Sequence, residues 1–297
     1  MTNAMKVAVT GASGFLGSHV LQALAGRTGL QLVTAARGPL PVERMLPGAR
    51  HECFDLGTVE PAAAFDRLGQ PDVLIHLAWS GLPNYKSAHH LEEQLPQQCA
   101  FLSGLVKAGL RSLTCTGTCF EYGMQSGQLS EEMPTQPTNP YGAAKDALHG
   151  RLELLRVGQP FALNWARLFY MYGEGQPATS LFSQFMAAGQ RGDTSFGMSG
   201  GEQLRDFLPV QRVAELIVAL ALEAPGAGTV NVCSGEPITV RALVEQWRRE
   251  RAWQIALDLG RYPYPDYEPM AFWGSSARLL RLLPQAGTHE AKRAPSR

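Results

Sequence analysis

The stretch that most narrows what this chain can fold into lies at its start. A short apolar run, Lys6-Val7-Ala8-Val9-Thr10, feeds directly into Gly11-Ala12-Ser13-Gly14-Phe15-Leu16-Gly17, and an amphipathic helical pattern continues over Phe15–Ala25. Gly11 permits a sharp turn out of a strand, Gly14 lets backbone approach a pyrophosphate, and Gly17 lets the helix lie close on a sheet. The helix N-terminus around Ser13, Phe15 and Leu16 adds free N–H groups and a partial positive charge. Three glycines alone are a weak signal. A strand before them and a helix after them make the motif specific for a dinucleotide cradle.

The next segments keep the same rhythm. Strand-like runs at Gln31–Ala36, Arg50–Phe54, Asp72–Ala78, Ser112–Thr116 and Phe161–Leu168 alternate with helical patterns near Leu91–Ala108 and Tyr141–Arg156. Short apolar strands alternating with amphipathic helices predict an α/β protein, a Rossmann doubly wound parallel sheet covered on both faces. After about Tyr170 the chain turns rich in Gly and Pro, with helices expected near Ser180–Ala188, Arg212–Glu223 and Val240–Arg251. This predicts a dinucleotide-binding domain over 1–170 with a return segment near 207–235. A smaller C-terminal substrate-binding domain takes 171–206 and 236–283, and 284–297 is expected to be a disordered tail.

Lys plus Arg number 26 and Asp plus Glu 26, so there is no global field to draw in nucleic acid or an anionic membrane, and an anionic ligand must be held by local donors. Met1–Thr10 runs straight into the first strand and no apolar stretch is long enough to span a bilayer, so neither a secretory leader nor a membrane anchor is expected. Cys53, Cys99, Cys115, Cys119 and Cys233 are odd in number and have neither disulfide-scaffold nor metal-site spacing. Reduced thiols in a cytoplasmic protein without a metal are the simplest reading.

The end of the second strand discriminates between dinucleotides. An acid there holds the ribose 2′-hydroxyl of NAD, but the sequence is Val33-Thr34-Ala35-Ala36-Arg37-Gly38. The Arg37 guanidinium suits a 2′-phosphate, so NADP(H) is preferred and NAD(H) remains possible. Asp55-Leu56, after the third strand, is placed to meet the adenine, although an Asp there also serves as a turn residue.

Tyr141 and Lys145 lie four residues apart in a helix opening after Asn139-Pro140, which stacks them on one face. A neighbouring ammonium is expected to lower the phenol pKa and let Tyr141 exchange a proton with a carbonyl or carbinol. At the end of the fifth strand Thr118 offers a hydroxyl to the same oxygen, with Thr116 as the competing residue. Cys119 reads as a small packing residue, and His89-His90 as capping or solvent-facing.

Together these segments resemble the extended short-chain dehydrogenase/reductases, specifically the NAD-dependent epimerase/dehydratase family acting on nucleotide sugars. The resemblance rests on Thr10–Gly17, His76-Leu77-Ala78, Thr118–Gly123, Tyr141-x-x-x-Lys145 and Arg205-Asp206-Phe207-x-x-Val210, and it spans nearly the whole chain. It implies Thr118, Tyr141 and Lys145 as catalytic residues, Leu77 and Ala78 against the cofactor, and Arg205 against a nucleotide diphosphate. It also implies a homodimer through the Leu91–Ala108 and Tyr141–Arg156 helices.

Departures from the family pattern choose among its reactions. Dehydratases place Asp and Glu directly after the catalytic Thr, where this chain has Cys119 and Phe120, with Glu121 expected to face the other way. Gln97 or Gln98 replaces a family Asn, and Gln211 stands where Asp is common. The reading that remains is NADPH-dependent reduction of a nucleotide-diphospho-4-keto-6-deoxyhexose at C4, in cell-surface polysaccharide biosynthesis. An NAD-retaining 4-epimerase is the alternative, and a non-catalytic dinucleotide sensor is the alternative of a different class.

Overall fold

A computed structural model describes residues 4–288. A seven-stranded, wholly parallel sheet runs in the order β11-β7-β5-β4-β1-β2-β3. Its first strands are β1 (Met5–Thr10), β2 (Leu30–Ala36), β3 (Arg50–Cys53), β4 (Val73–His76) and β5 (Ser112–Thr118). The short β6 (Gly127–Leu129) intervenes before β7 (Ala162–Leu168). Then come β8 (Tyr170–Tyr172), β9 (Ser195–Gly197), β10 (Leu204–Pro209), β11 (Gly228–Val232), β12 (Pro237–Thr239), β13 (Ala256–Asp258) and β14 (Phe272–Gly274). The helices are α1 (Phe15–Ala25), α2 (Pro61–Arg67), α3 (Leu95–Ala108), α4 (Pro140–Gly158), α5 (Leu181–Arg191), α6 (Val210–Glu223), α7 (Val240–Glu250) and α8 (Ala277–Leu282). The fold class expected from the sequence is therefore present.

Both sheet faces are covered, as the uninterrupted apolar strands require. Leu21 and Leu24 of α1, Ile217 and Leu220 of α6 and Leu279 of α8 pack over one face with Val7, Val9 and Val230. Phe101, Leu102 and Leu105 of α3 and Leu148 and Leu152 of α4 cover the other with Leu74, Leu113 and Trp165. A separate apolar cluster of Phe185, Phe196, Val244 and Trp247 holds α5 and α7 to the small sheets. Caps fix the helix starts: Asn139 Oδ1 accepts from Gly142 N at 2.8 Å, and the Ser180 and Thr239 hydroxyls accept from Ser183 N and Ala242 N.

The helix expected from Leu91 differs at its start. His90–Gln94 form a π-helical turn that continues into α3, which begins with Pro96 in its first turn. Proline has no N–H to give to a regular ladder at that point. Pro284–Thr288 form a 3₁₀ turn held by a bond from Arg212 Nη2 to Ala286 O, while 289–297 of the expected tail lies outside the described residues. No helix among the described residues is long and apolar enough to cross a membrane.

The strand order reverses direction between β1 and β4. In open α/β sheets the crevice beyond the carboxyl ends of such strands is where ligands bind.

Candidate active site

The crevice is a groove of about 340 Å³, and Gly11, Ser13 and Gly14 form its floor. Gly11 has φ +75°, and a Cβ there would lie 2.7 Å from Ala78 N, so the turn leaving β1 touches the chain leaving β4. At Gly17 a Cβ would stand 2.2 Å from Gly11 O, which is why α1 needs glycine to dock against the turn. The α1 N-terminus, capped by Gly14, receives no side-chain hydrogen bond, and its free N–H groups fit a phosphate.

Arg37, Asp55, Leu56, Leu77 and Ala78 line the same groove. Asp55 also builds its own turn, with Oδ1 accepting from Gly57 N at 2.8 Å. Phe15, Leu16 and Gly17 do not line the groove; Leu16 packs against the α1–α6 core, Phe15 lies edge-on to His19 and Gly17 sits under the turn. A second guanidinium that the sequence reading did not pick out, Arg44, donates to Ser13 O at 3.4 Å.

Under the groove a polar chain ties β1 to β4. The Thr10 hydroxyl donates to His76 Nδ1 at 2.7 Å, His76 Nε2 donates to Gln98 Oε1 at 2.6 Å, and Gln98 Nε2 donates to Ala78 O at 3.1 Å. The bonds fix the neutral tautomer. Burial first, then the nearby Lys145 charge, pushes His76 down from 6.5 to about 3. Its folded pKa lies below its unfolded one, so the unfolded chain binds more protons between those two pH values. Stability from this group is complete above pH 6.5 and declines by about 1.4 kcal/mol per unit as pH falls toward 3. Urea midpoints measured at falling pH are expected to drop less steeply in His76→Gln than in the wild type.

Tyr141 and Lys145 are both buried, at 8% and 2% exposure, and neither lines the groove. Trp79 separates them from it. Its ring centroid lies 4.0 Å from Lys145 Nζ and 6.0 Å from the Tyr141 ring, and its Nε1 donates to His90 Nδ1 at 3.1 Å. Contact between Lys145 and anything in the groove requires this indole to turn aside. His90 is fully buried and packs 5.2 Å from Tyr141, so the capping or solvent-facing role expected for it does not hold. His89 lines the groove's far end, bridging the Ser80 hydroxyl at 3.0 Å and the Glu93 carboxylate at 3.2 Å. Gln94, also at that end, accepts from Ser80 N at 3.1 Å. A sequence signal for these residues existed in the run Trp79-Ser80-Gly81 after the strand, but no spacing rule points from it to Tyr141.

Spacing predicts a Tyr141 acidified by Lys145, but the surroundings of the phenol act in the opposite direction. The Tyr141 phenol is pushed far above its usual range, first by burial and then by Tyr85, Glu121 and Cys119, while a hydrogen bond with Thr118 pulls the other way. Lys145 spends its ammonium elsewhere, donating to Thr116 O at 2.8 Å and lying on the Trp79 face. Burial draws Lys145 itself downward, with Cys115 and Glu121 opposing. Thr118 and Tyr141 are thus brought together as a hydroxyl pair, and Tyr141 is held firmly as the protonated phenol. Burial also raises the Cys119 thiol, in keeping with a packing role.

Arg205 lies apart from the groove. It is 2% exposed, pairs with Glu268 at 3.0 Å, donates to the carbonyls of Leu204 and Met270, and packs on the Phe272 ring at 4.5 Å. Tyr170 donates to the same Glu268. A diphosphate would have to displace that carboxylate to reach the guanidinium. Among the described residues no group of three or more His, Cys, Asp or Glu side chains could hold a metal ion.

Comparisons with known proteins agree with this architecture. Residues 7–233 match the profile of the NAD dependent epimerase/dehydratase family. A dTDP-6-deoxy-L-talose 4-dehydrogenase (NAD(+)) of Aggregatibacter actinomycetemcomitans is 27% identical over 91% of this chain and 100% of its own length. The dTDP-6-deoxy-L-talose 4-dehydrogenase (NAD(P)(+)) of Kitasatospora kifunensis is 30% identical over 88% of this chain and 83% of its own. In fold the chain is similar to a UDP-N-acetylglucosamine 4-epimerase of Methanobrevibacter ruminantium, with TM-score 0.82 at 19% identity over 95% and 93% of the two chains. A profile match spanning most of the sequence, together with a relative matched from end to end, makes this chain an enzyme of the NAD dependent epimerase/dehydratase family.

Proposed function

We propose that the chain reduces the C4 ketone of a nucleotide-diphospho-4-keto-6-deoxyhexose with NADPH. The Thr118–Tyr141 hydroxyl pair, beside Lys145 and next to the dinucleotide groove, carries this reading. It holds a protonated acid and a second donor for one carbonyl oxygen. Bound NADPH would supply the hydride. Tyr141 would give its proton to the C4 oxygen, which Thr118 aligns, and the Lys145 ammonium would offset the phenolate left behind until solvent returns a proton to it. The matched 6-deoxytalose 4-dehydrogenases support a 4-keto/4-hydroxy couple. A GDP-6-deoxy-D-talose 4-dehydrogenase relative, 25% identical over 78% of this chain, points the same way. A dTDP-L-rhamnose 4-epimerase is also similar, at 25% over 81%, which keeps the NAD-retaining epimerase as the second reading.

Arg37 on the groove wall and Arg44 beside Ser13 favour NADPH over NADH. The residues divide as 1–170 with 207–235 for the dinucleotide, and 171–206 with 236–283 for the sugar nucleotide, where Arg205 meets the diphosphate once Glu268 releases it. Exposed Leu154 and Val157 on α4 support a homodimer through α3 and α4, and a cytoplasmic location belongs to the same reading. The test is a binding and turnover panel of the four nicotinamide dinucleotides with 4-keto sugar nucleotides. NADPH consumption that weakens about tenfold or more in Arg37→Ala, with NADH use unchanged, is the expected result. Retention of tightly bound NAD through purification would instead favour the epimerase.

A further inference from the structure

Behind the hydroxyl pair lies a buried charge that the proposed chemistry does not use. Glu121 has 0% exposure, and its carboxylate accepts from Thr118 N at 2.8 Å, from Trp165 Nε1 at 3.0 Å and from Arg167 Nε at 2.6 Å. The Thr118 side chain in turn accepts from Phe120 N, so Thr118 and Glu121 close a reciprocal capping box over one short turn. The neighbouring residues are shaped to this carboxylate. A Cβ on Gly117 would lie 2.5 Å from Glu121 Oε1 and 2.3 Å from Trp165 Nε1. A Cβ on Gly142 would lie 2.7 Å from Phe120 O, so the same turn also packs against the start of α4, which carries Tyr141. Arg167, near the end of β7, is itself 3% exposed and stacks on the Tyr122 ring at 4.5 Å.

We infer that Glu121 is a positioning residue for the reacting pair: its carboxylate clamps the Thr118 backbone so that the hydroxyl faces Tyr141. A buried ion pair is weak evidence for stability, since its desolvation offsets its attraction, and a clamp on a reacting group is a better-attested reason to keep one. The titratable groups facing Tyr141 are Tyr85 and His90 from the 79–90 loop, Cys119 and Glu121 from the turn after β5, and Lys145 one helical turn on. Of these, Glu121 is the anion already hydrogen-bonded to Thr118, and Arg167 lies on its far side.

This inference rests on Thr118 and Tyr141 being the reacting pair, and the test separates the two ideas. Glu121→Gln alone would strand the Arg167 charge, so two neutral double variants are compared, both checked for folding by thermal unfolding. Glu121→Gln/Arg167→Met keeps an acceptor for Thr118 N, whereas Glu121→Leu/Arg167→Met removes it. The expected result is that kcat falls about 10- to 100-fold in the Leu variant relative to the Gln variant, with KM changed about twofold or less. Equal kcat in the two variants, or a loss that falls on KM, overturns the inference. A fully active Tyr141→Phe would instead overturn the proposed function.

Discussion

Tyr141→Phe is expected to lower kcat for 4-keto reduction by about 10²- to 10⁴-fold, the range a single positioned proton donor contributes. Binding of the dinucleotide should stay within about twofold of the wild type, because the phenol is outside the groove that Gly11, Gly14 and Arg37 line. The loss should fall on kcat and not on KM, since the proton is given only as the carbonyl accepts hydride. The unusual feature is the state of the acid. Burial and the Tyr85, Glu121 and Cys119 groups hold the phenol far above its ordinary range, so at neutral pH it rests as the neutral phenol, the form that reduction of a ketone requires.

Arg167→Met is expected to lower stability by about 3–5 kcal/mol, the usual result of removing one partner from a buried ion pair. Glu121 would remain at 0% exposure with its charge uncompensated and only two N–H donors, those of Thr118 and Trp165. Restoring neutrality with Glu121→Gln in the same chain should recover most of that loss, because two neutral partners do not carry the desolvation cost of a lone charge. Denaturant unfolding of the two single variants and the double variant measures the coupling. A loss under about 1 kcal/mol in Arg167→Met would show that water or a local shift reaches the carboxylate.

Several of these elements could be read from the chain, and several could not. Lys6–Thr10 followed by spaced glycines identified the first strand, its turn and the helix start, because each glycine there has a steric duty confined to its own few residues. Tyr141 and Lys145 were visible for the same reason, as two positions on one helical face. The short pairings of β8 with β10 and of β13 with β9 gave no such pattern, since strands of three residues show no alternation to read.

The sequence by itself determined which residues form the glycine turn after β1 and that a parallel sheet presents it, since period, turn chemistry and glycine sterics are local properties. Only the tertiary structure decided what surrounds each charge. It set Trp79 over Lys145, Glu121 between Thr118 and Arg167, and Glu268 on Arg205. Those partners are far apart along the chain or held by burial, and acid strength depends on the dielectric and the charges a group meets in space, which no spacing of letters encodes.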